Sequence, residues 1–228
     1  MHRAFFIAGT DTDVGKTTIA AGLLHAARLA GLSTAAVKPV ASGCERTEQG
    51  LRNSDALALL AECSLALDYA TVNPFAFEPA IAPHIAAREA GVELTAARLI
   101  EAVQPVMARQ AGVTLVEGAG GWRVPLNAHE HLSALPAALG LPVILVVGVR
   151  LGCINHALLS AEAIARDGLA LAGWVANIID PATSRLDDNI ATLAELLPAP
   201  CLGQVPRLAA PTARQVARYL TLPALQPV

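Results

Sequence analysis

Gly9-Thr10-Asp11-Thr12-Asp13-Val14-Gly15-Lys16-Thr17 decides the fold. It follows a short apolar run, Ala4 to Ala8 with Phe5, Phe6 and Ile7, and precedes a helical pattern. Strand, loop and helix in that order are what a phosphate-binding loop requires. Small residues let the backbone curl so that successive N–H groups point at phosphate oxygens, and the following helix adds its positive end. Lys16 supplies a point charge for the terminal phosphates, and the Thr17 hydroxyl is suited to Mg²⁺. The stretch therefore predicts a nucleoside triphosphate site. One irregularity stands out: the usual spacing puts a glycine where this chain has Thr10, and Gly9 sits one place earlier.

Outward from the loop, Lys16 to Ala30 carries Ile19, Leu23, Ala26, Ala27 and Ala30 on one face, with Gly31 placed to end the helix. Thr34 to Pro39 reads as a second strand and Ser42 to Arg52 as a polar loop. Asn53-Ser54-Asp55 caps a helix running to about Cys63. Pro74, Pro79 and Pro83 break residues 68–93 into loop or irregular structure, and a helix over Thr95 to Gln110 follows. The second half alternates. Strands are expected at Gly112–Glu117, Pro142–Val147, Ala172–Asn177 and Cys201–Val205. Helices are expected at Leu132–Leu139, Asn155–Arg166, Ser184–Leu196 and Thr212–Leu220. This predicts an α/β fold of the P-loop NTPase type, a three-layer sandwich around a mostly parallel central sheet, with residues 1–228 as one domain.

Composition narrows the function. The net charge of −3 leaves no basic stripe to neutralise nucleic-acid phosphates. The hydrophobic content of 54% is inflated by alanine, and the longest apolar run, Leu139 to Val149, is too short to span a bilayer. It reads instead as a strand buried on both faces. The first strand begins almost at the N-terminus, leaving no room for a signal peptide. Cys44, Cys63, Cys153 and Cys201 form no CxxC pair, so neither zinc site nor disulfide framework is indicated. A cytoplasmic protein with no nucleic-acid or membrane partner is expected.

In open parallel sheets, ligands lie beyond the carboxyl ends of the strands. The segments to inspect are then Thr10–Thr17, Lys38–Ser42, Glu117–Gly121, Gly148–Asn155, Asn177 and Pro206. Lys38 leaves a buried strand beside the phosphate loop, where a second cation opposite Lys16 would suit phosphoryl transfer. A lysine snorkelling at the sheet edge is the plainer alternative. Glu117 opens Glu117-Gly118-Ala119-Gly120-Gly121, and an acidic residue there suits Mg²⁺ or its water shell. Asp55 serves equally as a helix-dipole partner. Asp11 and Asp13 fit either loop decoration or substrate contact. His129 and His131 read as a solvated turn and His25 as structural, while His84 and His156 stay open. No Ser/His/Asp or Cys/His arrangement follows from spacing.

Taken together, the loop, Lys38-Pro39-Val40-Ala41-Ser42-Gly43, Asn53-Ser54-Asp55-Ala56, Glu117-Gly118-Ala119-Gly120-Gly121 and Gly152-Cys153-Ile154-Asn155-His156-Ala157 resemble dethiobiotin synthetase. Asn73-Pro74-Phe75, Ala82-Pro83-His84 and Gly173-Trp174-Val175-Ala176-Asn177 fit the same family. The resemblance covers nearly the whole chain. It implies an ATP- and Mg²⁺-dependent cyclo-ligase of biotin synthesis that joins CO₂ to 7,8-diaminononanoate through a phosphorylated carbamate. It also implies roles. Lys16 and Lys38 would be catalytic, and Thr17, Asp55 and Glu117 would hold Mg²⁺. Thr12, Ser42 and Gly118 would contact the diamine. Asp13, Val14, Gly15, Thr18, Gly118, Ala119 and Gly120 would line ATP, with Asn177, Val205, Pro206 and Arg207 at adenine. The family is a homodimer, with Gly152, Cys153 and Asn155 of one subunit receiving the substrate carboxylate of the other. Two departures are Asp13, where glutamate is frequent, and Ala210, where some relatives carry a carboxylate. A partitioning-type ATPase on the same fold is the main rival. Its loop carries a further lysine near the start, where this chain has Ala8, Gly9, Thr10 and Asp11.

Overall fold

The structure is a computed structural model that describes residues 2–224. The chain opens with β1 (Ala4–Gly9), whose side chains alternate between two interiors. Phe5 and Ile7 face one helical layer, and Phe6 and Ala8 face the other. The phosphate-binding turn leads into α1 (Lys16–Leu29), and Gly31 follows at φ 76 to turn the chain back. Next comes β2 (Thr34–Val37), which stops short of the expected Pro39. The Lys38 N–H leaves the sheet and donates to the Val72 carbonyl at 2.7 Å, and Pro39 has no N–H to continue a ladder.

Residues 40–93 are more structured than their sequence suggests. The pair β3 (Val40–Ala41) forms a short parallel ladder with β6 (Phe75–Ala76). The expected polar loop contains a hairpin, β4 (Glu45–Thr47) and β5 (Gly50–Arg52), whose ends pair Glu45 with Arg52. Strands of three residues give no period to read. Asn53 caps α2 (Ser54–Ala61) as expected. The proline-rich stretch also holds α3 (Tyr69–Val72) and α4 (Pro83–Glu89), where Pro83 occupies the first helical position that suits it.

From α5 (Ala96–Met107) onward the alternation holds. It continues through β7 (Val113–Glu117), α6 (Ala134–Leu139), β8 (Val143–Val149) and α7 (Cys153–Arg166). It ends with β9 (Leu171–Ile178), α8 (Leu186–Leu196), β10 (Cys201–Val205) and α9 (Ala213–Ala217). The differences are at the ends: α6 starts after Leu132, α7 begins before Asn155, and α9 is shorter than expected.

Six strands form the central sheet in the order β10-β9-β8-β1-β7-β2, and every neighbouring pair is parallel. Buried side chains of α1, α2 and α9 (Leu23, Leu59, Val216) cover one face. Those of α5, α6, α7 and α8 (Leu99, Leu135, Ile164, Leu193) cover the other. The three-layer sandwich is therefore as expected. The chain leaves β1 for β2, returns to β7 between them, and then crosses to β8 on the far side of β1. That reversal opens a crevice beyond the carboxyl ends of β1, β7 and β8. Among the described residues no helix is long and apolar enough to cross a membrane.

Leu99 is fully buried where α5 meets the sheet. Leu99→Ala is expected to lower unfolding free energy by about 2–5 kcal/mol with no change in denaturant slope. Urea denaturation of both proteins checks this.

Candidate active site

The crevice contains a cleft of ≈ 370 Å³ that gathers Thr12, Asp13, Lys16, Thr17, Lys38 and Ser42 with Asp55, Ala119 and Gly120. Four separate stretches of chain converge there. The phosphate-binding turn explains its own irregular spacing. A Cβ on Gly9 would stand 2.8 Å from Val14 Cγ2 and 3.1 Å from Lys16 Cδ, so the close approach falls at residue 9. Thr10 can carry a side chain, and its Oγ1 accepts from the Gly148 N–H at 3.4 Å. Gly15 has φ 88, and a Cβ there would meet Asn177 Nδ2 at 2.3 Å, so neither the backbone nor the space admits another residue. Lys16 Nζ donates to the Asp11 carbonyl at 3.1 Å, folding the lysine over the loop.

Register sets the charged centre. Val37 pairs with Val116 and Ile7 with Glu117, so Lys38 and Glu117 emerge side by side at the end of adjacent strands. Lys38 Nζ donates to Glu117 Oε1 at 2.6 Å and to Asp55 Oδ2 at 2.9 Å. Thr17 Oγ1 donates to the same Glu117 Oε1 at 2.8 Å. Lys38 is 5% exposed and Glu117 1%. The second carboxylate oxygen of Glu117, Oε2, is buried and has no hydrogen-bond partner among the described residues. Lys38 is thus no snorkelling surface lysine.

Burial works against the Lys38 ammonium, but Glu117 and Asp55 outweigh it and hold its pKa above the ordinary lysine value. Burial likewise opposes the Asp55 carboxylate, and Lys38 outweighs it, so that group sits below the usual carboxylate value. At Lys16 burial dominates and Lys38 adds repulsion, so its pKa falls despite attraction from Glu117.

A second cavity of ≈ 180 Å³ adjoins the first, sharing Asp13, Gly15 and Thr18 with it. Asn177, Val205, Pro206 and Arg207 line this cavity, together with Ile178, Ile179, Leu208 and Pro211, which sequence reasoning did not single out. Their signal was only their place after β9 and β10. Asn177 Nδ2 donates to the Val14 carbonyl at 2.8 Å. Gly118 donates its N–H to the Ile7 carbonyl at 3.0 Å, behind the lining.

Three expected substrate residues lie elsewhere. Gly152 and Asn155 are exposed and Cys153 is buried at the start of α7, and none lines either cavity. Leu151 beside them is 89% exposed. Asp11 is engaged locally, accepting from the Thr12 N–H at 2.8 Å and from Arg150 at 2.7 Å. His25 is structural, with its Nδ1 3.0 Å from Glu62 Oε2. All four cysteines are free.

A family described as an AAA domain matches residues 3–215. The chain is 77% identical over 219 residues to the ATP-dependent dethiobiotin synthetase BioD of Pseudomonas paraeruginosa, covering 96% of each chain. It is 61% identical over 220 residues to the protein of the same name from Cellvibrio japonicus, again covering 96% of each. Among solved structures it is similar to a ParA family ATPase from Chlorobium tepidum, with a TM-score of 0.56 over 96% of this chain and 98% of that one. Identity there is 12%, so that likeness speaks for the fold alone.

The Lys38–Asp55 pair gives a pH signature. Because the Asp55 pKa is lowered on folding, its stabilisation is present above about pH 4 and is lost as pH falls through the folded value. Urea midpoints of the native chain and Asp55→Asn should differ at neutral pH and converge below about pH 4. An unchanged gap from neutral to acid pH would count against the pairing.

Proposed function

The chain belongs to the ATP-dependent dethiobiotin synthetase family, and we propose that its cleft carries out that family's ring closure with Lys16 and Lys38 as the two working cations. The chemistry is ATP-dependent ring closure in biotin biosynthesis. One amine of 7,8-diaminononanoate adds to CO₂, forming an N–C bond and a carbamate. A carbamate oxygen takes the γ-phosphoryl group of ATP, releasing ADP. The second amine then attacks the carbamate carbon and expels phosphate, closing the ureido ring. Phosphorylation is needed because a carbamate oxygen is otherwise a poor leaving group, and holding both amines on one carbon frame favours closure.

The single observation that carries the role of Lys38 is its buried ammonium at the rim of the phosphate-loop cleft. From there it would steady charge passing between carbamate and γ-phosphate. Lys16 would hold the β- and γ-phosphates, and Thr12 and Ser42 would orient the diamine. Asn177 spends its N–H₂ on Val14, which leaves its carbonyl oxygen for a base with an exocyclic amine, as in adenine. Pro206 and its neighbours would complete that contact.

Among the described residues no three His, Cys, Asp or Glu side chains converge as an all-protein metal cage. Mg²⁺ does not ask for one, since it takes one or two carboxylates, a hydroxyl, water and phosphate oxygens. Thr17, Asp55 and Glu117 fit that need, and the unpartnered buried Oε2 of Glu117 favours a cation there. Bound Mg²⁺ would supply charge neutralisation for the triphosphate.

The exposed α7 start with Leu151, Gly152 and Asn155 supports a homodimer. In it Gly152, Cys153 and Asn155 of one copy would meet the substrate carboxylate in the cleft of the other, presenting the positive end of α7 to an anion. A cytoplasmic location and a single working domain over residues 1–228 complete the reading.

Lys38→Ala is expected to cut turnover by at least about 10²-fold while ATP affinity, measured by calorimetry, stays within a few-fold. Native protein should release ADP only when both diamine and bicarbonate are supplied. Full activity in Lys38→Ala would remove that residue from the chemistry. Steady ADP release indifferent to diamine would favour a nucleotide-switch ATPase instead.

A further inference from the structure

Lys38 sits outside the sheet, so something other than the β-ladder must fix its backbone. Its N–H donates to the Val72 carbonyl at 2.7 Å, and its carbonyl accepts from Asn73 Nδ2 at 2.8 Å. Asn73 is 3% exposed, and its Oδ1 accepts from the Tyr69 hydroxyl at 3.0 Å. That hydroxyl in turn accepts from the Asn53 N–H at 2.7 Å. Asn53, itself buried, caps α2 by accepting from the N–H groups of Asp55 and Ala56 at 3.1 and 3.2 Å. From β5, the Arg52 guanidinium lies 4.2 Å over the Tyr69 ring.

We propose that Tyr69 is a positioning residue whose hydroxyl joins the main chain of Lys38 to the helix cap bearing Asp55, keeping ammonium and carboxylate in register across the cleft. One oxygen stands at the junction of the two supports, receiving a proton contact from the α2 cap and giving its own to the residue that holds the Lys38 carbonyl. Tyr69 must be protonated to do both, and burial raises its pKa in the direction that keeps the proton on. Without the hydroxyl, Asn53 N–H and Asn73 Oδ1 lose their shared partner, and α2 can drift relative to β2. Small misplacements of reacting groups lower rate far more than they lower ground-state binding. The inference rests on the proposed roles of Lys38 and Asp55.

Tyr69→Phe is the first test, with Leu99→Ala as a control that loosens the core under α5, the helix packed against α3, without touching the hydroxyl. At a temperature where all variants are folded, Tyr69→Phe should lower kcat about tenfold or more while ATP affinity changes less than about twofold. Leu99→Ala should leave kcat near the native value. The chain has only two tyrosines, so in a Tyr219→Phe background global incorporation of difluorotyrosine acidifies the residue 69 hydroxyl alone. The alkaline loss of kcat should then move to lower pH, as the hydroxyl gives up the proton that Asn73 needs. A tyrosine that merely fills space would leave that profile unmoved, and Tyr69→Phe would then behave like Leu99→Ala; either result overturns the proposal. Lys38→Ala separates the two levels. If it turns over normally, the functional reading fails; if it is inactive while Tyr69→Phe keeps native kcat, only the role of Tyr69 fails.

Discussion

A buried ammonium between two carboxylates governs this structure. Lys38 and Glu117 are both almost fully enclosed, and each would be costly to bury alone. Their 2.6 Å contact lets both stay charged, and Asp55 shares the lysine from the more exposed side. The contact exists because β2 lies directly beside β7, with Val37 opposite Val116. A one-residue slip would turn Lys38 and Glu117 to opposite faces of the sheet. The ion pair therefore depends on the sheet order, and the cleft depends on the ion pair.

The same groups set the electrostatics of ligand binding. Lys16 and Lys38 face Asp13, Asp55 and Glu117, so the rim has no positive charge to spare on its own. A triphosphate would bring more negative charge than that balance absorbs. The remaining sources of compensation are the loop N–H groups, the positive end of α1 and a divalent cation. Glu117 is built to serve several of these at once. One oxygen receives both Thr17 and Lys38, and the other is left over in a buried place.

Much of this was legible in the sequence, for identifiable reasons. The strand–loop–helix opening and the alternating second half carry periodicity and turn signals that survive without tertiary context. Lys38 and Glu117 could be singled out because each lies at the end of a strand on the ligand edge, whereas Asp55 read equally as a helix-dipole partner until the family resemblance gave it a role. The short pairs β3–β6 and β4–β5 could not, since two or three residues hold no period. Nor could the path from Asn53 through Tyr69 and Asn73 to Lys38, which links residues whose approach is decided only by the folded chain. Gly152, Cys153 and Asn155, which the family resemblance alone assigns to the site of the other subunit, line neither cavity of their own chain.

The two cavities are mechanically one system. They meet at Asp13, Gly15 and Thr18, where the phosphate-binding turn becomes α1. Gly15 is held against Asn177, whose amide also fastens the Val14 carbonyl, so the end of β9 braces the turn from behind. Any movement of Asn177 to suit a different base would shift the loop that carries Lys16. Conversely, tightening the loop on phosphate would press on Asn177. On the proposed roles, base recognition and phosphate binding would be coupled through a contact too close to admit a single methyl group, which would make the residue 15 glycine a requirement of both.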